Sequence, residues 1–219
     1  MRQLLLDLLP ESPPSLDNFV AGGNGETLAA FTGWLAGERA EFSFCLWGEA
    51  GSGCSHLLKA SGFAYVDALA DPSLANLPAE EAVAVDHVEA LDAEGQIALF
   101  NGFNRLKAAG GRLLTAAPQP PAHLALREDL RTRLGWGLIY RLQPLSDAEK
   151  AAAVASQAKE RALKLTPEAI NYLLRHAPRD MRTLSAFVVA LDRYTLEHKR
   201  AVTLPLLREL LQSPLETTP

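Results

Sequence analysis

At 219 residues the chain has room for one ordinary domain and a small second one, each with a core of its own. Hydrophobic residues make up 48% and charged residues 21%, close to globular averages, and no run of about 18 apolar residues suggests a membrane span. A formal net charge of −5 argues against a chain built chiefly to neutralise phosphates along a duplex.

The start, MRQLLLDLLPESPP, has a single basic residue, Arg2, an Asp at position 7 and no small-residue cleavage site. It is a poor secretory signal, and a cytoplasmic protein is expected. Cys45 and Cys54 have neither zinc-ligand spacing nor the pattern of a disulfide framework, so reduced thiols are expected. Residues 1–14 read as an apolar tail that ends in a stiff connector at Pro10, Pro13 and Pro14.

Residues 15–145 alternate β-rich runs with helical stretches. Strands are expected at Phe42–Trp47, Phe63–Asp67, Ala82–Asp86, Arg112–Ala116 and Leu138–Leu142, several of them continuous apolar runs of the kind a parallel sheet buries on both faces. A helix is expected over Glu94–Ala109, where Ile97, Leu99, Phe100, Phe103 and Leu106 fall near helical spacing. The fold class is α/β, a three-layer parallel-sheet domain. Residues 146–219 read as a small helical domain that opens with a capping box, Ser146-Asp147-Ala148-Glu149. Further helices start at Thr166-Pro167, at Asp180 and at Thr203 or Leu204. The domain boundary falls near Gln143–Leu145.

The segment Gly48-Glu49-Ala50-Gly51-Ser52-Gly53-Cys54-Ser55 follows a strand and precedes the helix start His56-Leu57-Leu58. That is the context of a phosphate-cradling P-loop, G-x-x-x-x-G-K-[ST], in which backbone N–H groups turn inward; Gly48, Gly53 and Ser55 fit, and Cys54 stands where the lysine belongs. A plain glycine-rich turn is the alternative. Ala82-Val83-Ala84-Val85-Asp86 ends an apolar strand on an aspartate, placed to hold Mg²⁺ together with Ser55. The following position, where an acid usually polarises the attacking water, is His87, equally readable as an ordinary exposed loop residue; Glu89 comes two residues later. Losing the lysine removes a fixed charge from the β- and γ-phosphates, and losing the acid removes a group typically worth about 10²–10⁴-fold in rate. Binding is expected to outlast turnover.

In order along the chain, Ser15-Leu16-Asp17-Asn18-Phe19-Val20 with Gly22 and Asn24, then GEAGSGCSHLL, AVAVDHV and LRTRLGWGL at 130–138, resemble the ATPase module of the bacterial replication initiator DnaA. Asp180-Met181-Arg182-Thr183-Leu184 resembles the arginine-bearing lid helix of the same AAA+ family. The tail Gln3-Leu4-Leu5-Leu6-Asp7-Leu8 is similar to the motif by which bacterial proteins dock in the replicative sliding clamp, with Gln3, Leu4, Leu6 and Leu8 as anchors; an ordinary amphipathic N-terminus would read the same way. The sequence continues only a few residues past its last expected helix, and no origin-reading helix-turn-helix domain is expected. Together these features are similar to the Hda family, short DnaA-like AAA+ regulators that inactivate DnaA.

The resemblance implies a P-loop AAA+ base over 15–145, a lid over 146–219 and a clamp-binding tail over 1–14. It implies ADP as the bound nucleotide, with ATP held weakly, against Asn18, Phe19, Val20, Gly51, Ser52, Gly53, Cys54, Ser55, His56 and Arg182. It implies that Arg133 is an arginine finger acting in trans on ATP held by DnaA, with the β subunit sliding clamp as second partner and a homodimer as an option. No sequence-specific reading of DNA and no membrane contact are expected. Thr115 is the one polar side chain offered where a sensor would follow the fourth strand. Trp136, between Gly135 and Gly137, reads as a packing plug rather than a stacking platform. Two other functions compete: an initiator-like ATPase that loads or remodels replication components, and an adaptor that binds DNA or a DnaA complex without nucleotide.

Overall fold

Five short parallel strands carry the base of the molecule. The computed structural model describes residues 13–178, 180–198 and 202–211, so the tail anchors Gln3, Leu4, Leu6 and Leu8 lie outside the described residues. The chain divides into two compact units, Pro13–Pro144 and the segment from Leu145 onward.

In the first unit, α1 (Gly25–Leu35) leads to β1 (Ser43–Trp47), α2 (Cys54–Ala60), β2 (Ala64–Asp67), β3 (Ala82–Asp86), α3 (Ala93–Ala108), β4 (Arg112–Ala117), α4 (Glu128–Leu134) and β5 (Leu138–Arg141). The strand order is β2-β3-β4-β1-β5 and every pair is parallel. The three central strands are the apolar runs FCLW, AVAVD and LLTAA, buried almost throughout, whereas the edges β2 and β5 are only partly covered. Uniform hydrophobicity in the middle and mixed character at the rim follow from helices covering both faces.

Alternation along each strand sorts the side chains into two layers. Val83, Val85 and Leu113 face Leu99, Phe103 and Leu106 of α3 and Leu130 and Leu134 of α4. Phe44, Leu46, Ala84, Leu114 and Ala116 face Phe31 and Trp34 of α1 and Leu57 and Leu58 of α2. In this second layer Phe44 stacks on Tyr140 with centroids 5.3 Å apart and meets Phe31 edge-on at 5.5 Å. Arg112 joins the sheet to α1: Nη1 donates to the carbonyls of Trp34 at 2.7 Å and Leu35 at 3.1 Å, two of the acceptors a helix leaves unpaired at its C-terminus.

The second unit holds α5 (Asp147–Glu160), α6 (Pro167–His176), α7 (Met181–His198) and α8 (Leu204–Leu211). Ser146 Oγ accepts the Glu149 amide while the Glu149 carboxylate accepts the Ser146 amide, the reciprocal cap that its spacing implies. Thr166 caps α6, with Pro167 in the first turn. Val154, Leu173, Leu184, Phe187, Val188, Leu191 and Leu207 form the core of this bundle.

Candidate functional site

The loop 48–55 leaves β1 beside two strand ends and is shaped by its glycines. At Gly48 a β-carbon would stand 2.3 Å from the Leu142 carbonyl oxygen and 2.7 Å from Ser52 Oγ, so only glycine lets the loop pass the exit of β5. Gly51 and Gly53 have φ of +82° and +103°, in the left-handed region, and the Ser52 amide closes a turn onto the Glu49 carbonyl at 3.0 Å. Cys54 opens α2 with Ser55 and His56 behind it. Cys54 Sγ lies 3.4 Å from Ser52 Oγ, and burial pushes its thiol up to about 11. At neutral pH the position of the missing lysine therefore holds an uncharged group.

The segment before α1 is folded against this loop. Phe19 lies on Gly53, and the rings of Phe19 and His56 are 5.4 Å apart. His56 Nε2 sits 2.9 Å from the Ser15 carbonyl, where it can only donate, so this side chain ties the segment to α2. Asn18 is spent within its own turn: Oδ1 accepts the Ser15 amide and Nδ2 donates to the Pro13 carbonyl. Val20 is half-buried beside it. Farther on, Asn24 grips the Gln143 backbone from both sides, donating at 2.9 Å and accepting at 2.8 Å, and fixes the segment to the end of β5.

At the ends of β2 and β3 stands a polar cluster. Asp86 is 2% exposed; its Oδ2 accepts from the Tyr65 hydroxyl at 2.9 Å and its Oδ1 from the His87 amide at 3.0 Å. His87 adopts a left-handed backbone, φ 53°, and its Nδ1 lies 3.0 Å from Asp67 Oδ1 and 3.6 Å from Asp86 Oδ1. His87 is thus anchored, by its ring to Asp67 and by its amide to Asp86, and is not an ordinary exposed loop residue. The Tyr65 phenol is held well above its usual range by burial and by the neighbouring Asp86. Glu89, in the short 3-10 turn Val88–Ala90, is exposed, and its carboxyl is pushed up by partial burial and by the charges of Asp86 and Asp67 nearby. Among the described residues no three His, Cys, Asp or Glu side chains converge as a metal would require. Asp86 accepts one hydrogen bond on each oxygen and is 2% exposed, and Ser55 stands half-buried at the start of α2, so a hydrated Mg²⁺ has no open approach to Asp86 as the side chains are packed. Thr115 is buried in β4, its side chain against the Cys45 sulfur across the β1–β4 pair.

Arg133 belongs to a different constellation, on α4 against α3. Its guanidinium lies 4.2 Å from the Phe100 ring centroid and within 5.7 Å of the Phe103 and Trp136 rings, and Nη1 donates to Asn104 Oδ1. Among the described residues it forms no ion pair, whereas Arg127 nearby is paired with Asp129 at 2.7 Å. A shallow depression of about 700 Å³ is lined by Phe100, Arg127, Glu128, Asp129, Thr132, Arg133 and Trp136. Trp136 is no packing plug: it is 57% exposed, with Lys107 4.8 Å from its ring. Gly137 is pressed so tightly on Ser43 that a β-carbon would meet its carbonyl oxygen at 2.1 Å; Leu130 and Leu134 fill the layer below, leaving the indole outside. In the second unit Arg182 is exposed in the first turn of α7, whose start Asp180 caps by accepting the Thr183 amide at 2.8 Å.

Residues 147–211 match the family described as Hda, lid domain. That match lies within the second unit, which is thus similar to an Hda lid. Among solved structures it is similar to domain III of the Thermotoga maritima replication initiation protein DnaA, at 20% identity and a TM-score of 0.69 over 93% of this chain and 98% of that one. AMPPCP-bound DnaA from Aquifex aeolicus matches at 22% identity and 0.65, over 88% of this chain and 71% of that one. The RuvB branch migration motor of Thermotoga maritima matches at 15% identity and 0.64, over 91% and 72%. These likenesses show the fold shared with DnaA and RuvB: a base of parallel strands with helices, followed by a helical unit.

Sequence reading missed the partners of the expected residues. Tyr65 and Asp67 were legible only as two residues of a strand; their spacing of two puts both on one face, and the parallel register sets Asp67 opposite Asp86. Phe100 and Asn104, four apart on α3, share a face with Arg133 for the helical analogue of that reason. Among the described residues no helix is long and apolar enough to cross a membrane.

Proposed function

We propose that this chain is a negative regulator of bacterial replication initiation that promotes hydrolysis of ATP bound to DnaA, acting with the DNA-loaded sliding clamp. Arg133 supplies a planar cation to the γ-phosphate held by the partner, where charge develops in the transition state; such fingers are worth about 10³–10⁵ in rate. The tail anchors Gln3, Leu4, Leu6 and Leu8 dock in the clamp. The chain's own loop, with Asn18 to Val20 and with Arg182 from the lid, holds ADP as a state signal rather than as a substrate.

The observation that carries this reading is the contrast between two positions. The lysine site of the loop is an uncharged, half-buried Cys54, while Arg133 keeps a guanidinium bound only to an amide oxygen and aromatic faces. The chain's own catalytic charge is missing and a cation suited to a neighbour's site is present. Turnover of DnaA-bound ATP, measured with clamp and DNA, tests it: stimulation by the wild-type chain and none by Arg133→Ala is expected. Undiminished stimulation by Arg133→Ala rejects the finger, and steady ATP turnover by the isolated chain would favour an initiator-like loader or remodeller instead.

A further inference from the structure

In phosphate sites of this fold the aspartate that ends β3 is used to hold Mg²⁺, directly or through water. Here each of its oxygens accepts one hydrogen bond from the chain itself, and the side chain is closed to solvent. Asp86 Oδ2 takes the Tyr65 hydroxyl, Oδ1 takes the His87 amide, and 2% of the residue is exposed. The imidazole of His87 stands over the same end of the sheet, with Nδ1 3.0 Å from Asp67 Oδ1 and 3.6 Å from Asp86 Oδ1. Both neighbours are acceptors, so Nδ1 donates. The left-handed backbone at His87 is one that residues with a β-carbon seldom adopt unless their surroundings hold them there, and these two carboxylates do so. A magnesium ion on Asp86 Oδ1 would sit about 2.0–2.1 Å from that oxygen and require a near-octahedral shell of oxygens, most of them water. With Asp86 2% exposed and His87 packed beside it, the side chains leave no space for that shell.

We propose that His87 takes the place of the divalent ion: its ring N–H donates to Asp67 and faces Asp86 across the ends of β2 and β3, and the phosphate loop takes a nucleoside diphosphate without magnesium. This rests on the diphosphate reading given above and adds the metal independence to it. It also accounts for how a loop without lysine can coexist with two adjacent carboxylates: hydrogen bonds within the chain satisfy them, and the ligand that suits the site is the one with fewer negative charges.

Calorimetric titration of the whole chain with ADP, once with excess Mg²⁺ and once with a chelator, tests the inference. The wild-type dissociation constants are expected to agree within about twofold, and a chelator-induced loss of about tenfold or more overturns it. With Mn²⁺ in place of Mg²⁺, electron paramagnetic resonance is expected to show no protein-held ion in the wild-type ADP complex; a bound-ion spectrum also overturns it. His87→Asp removes the imidazole and supplies an oxygen ligand, so its ADP affinity becomes dependent on Mg²⁺ and bound Mn²⁺ appears. Tyr65→Phe, which frees Asp86 Oδ2 and keeps the ring, moves in the same direction and covers the case in which His87→Asp does not fold. Absence of ADP binding in both wild-type arms rejects the diphosphate reading itself; binding that requires the metal rejects only the present inference.

Discussion

The ring of Phe19 lies against the α-carbon of Gly53, so close that a β-carbon there would come within 2.7 Å of Phe19 Cε2. The contact makes the segment before α1 and the phosphate loop one mechanical piece, reinforced by His56 on the Ser15 carbonyl. Gly53→Ala meets two penalties, this clash and a backbone at φ +103°, and strained backbone alone costs about 1–3 kcal/mol. Chemical denaturation should show a loss of at least that order. Phe19→Ala in the same background should recover part of it, since it relieves the clash and leaves the backbone strained.

Burial raises the Cys54 thiol from 9.0 to about 11 and the Cys45 thiol from 9.0 to about 12. Both groups hold their protons more tightly folded than unfolded, so their contribution to stability is complete below pH 9.0 and fades as pH rises through about 11 and 12. Thermal unfolding followed across alkaline pH should show Tm falling from pH 9.0 upward, with the loss from these groups complete near 11 for Cys54 and near 12 for Cys45. Alkylation of Cys54 by iodoacetamide should be slow at neutral pH; fast, pH-independent labelling there would contradict the burial argument.

Restoring the lysine with Cys54→Lys places an ammonium beside the loop amides. Hydrogen bonds to charged groups contribute about 1.5–3 kcal/mol, so ATP affinity should rise by about tenfold or more. ADP should gain less, because it lacks the γ-phosphate that such a lysine also reaches. Competition of both nucleotides against a fluorescent analogue measures the difference, and equal gains would count against the phosphate-cradle reading.

Arg133→Lys keeps a positive charge and loses the planar fork that matches phosphate oxygens and stacks on Phe100. Single-turnover hydrolysis of DnaA-bound ATP should fall by about tenfold or more, less than with Arg133→Ala, given the range of about 10³–10⁵ for a complete finger. Retention of full stimulation by the lysine variant would mean that charge alone suffices.

Ser146→Ala deletes one half of the cap on α5 and strands the Glu149 amide. The expected cost is about 1 kcal/mol of lid stability. Hydrogen exchange is the suitable readout, since protection should drop along α5 while the amides of β1, β3 and β4 stay as slow as before.

Where local physics dominates, the sequence was informative. The central strands β1, β3 and β4 stand out as unbroken apolar runs because both their faces are covered, and α3 shows its buried stripe of Leu99, Phe103 and Leu106. The cap at Ser146 and the proline start at Pro167 are signals within one turn and were equally visible. The strand ends were placed a residue differently at Phe42 and Phe63, where ladder geometry rather than hydrophobicity decides; Phe42 still accepts the Leu113 amide at 3.1 Å without belonging to β1.

What the sequence determined by itself was the order of the elements, the glycine pattern of the loop and the absence of a lysine at Cys54, because each depends on spacing along a few residues. Tertiary structure alone decided what those residues meet. Asp86 became a buried carboxylate hydrogen-bonded by Tyr65 and His87, Thr115 a neighbour of Cys45, and Trp136 an exposed ring beside Arg133 and Lys107. The physical reason is that strand register and helix packing bring together residues 20 or more positions apart, as with Asp67 and His87, and no local pattern records that meeting.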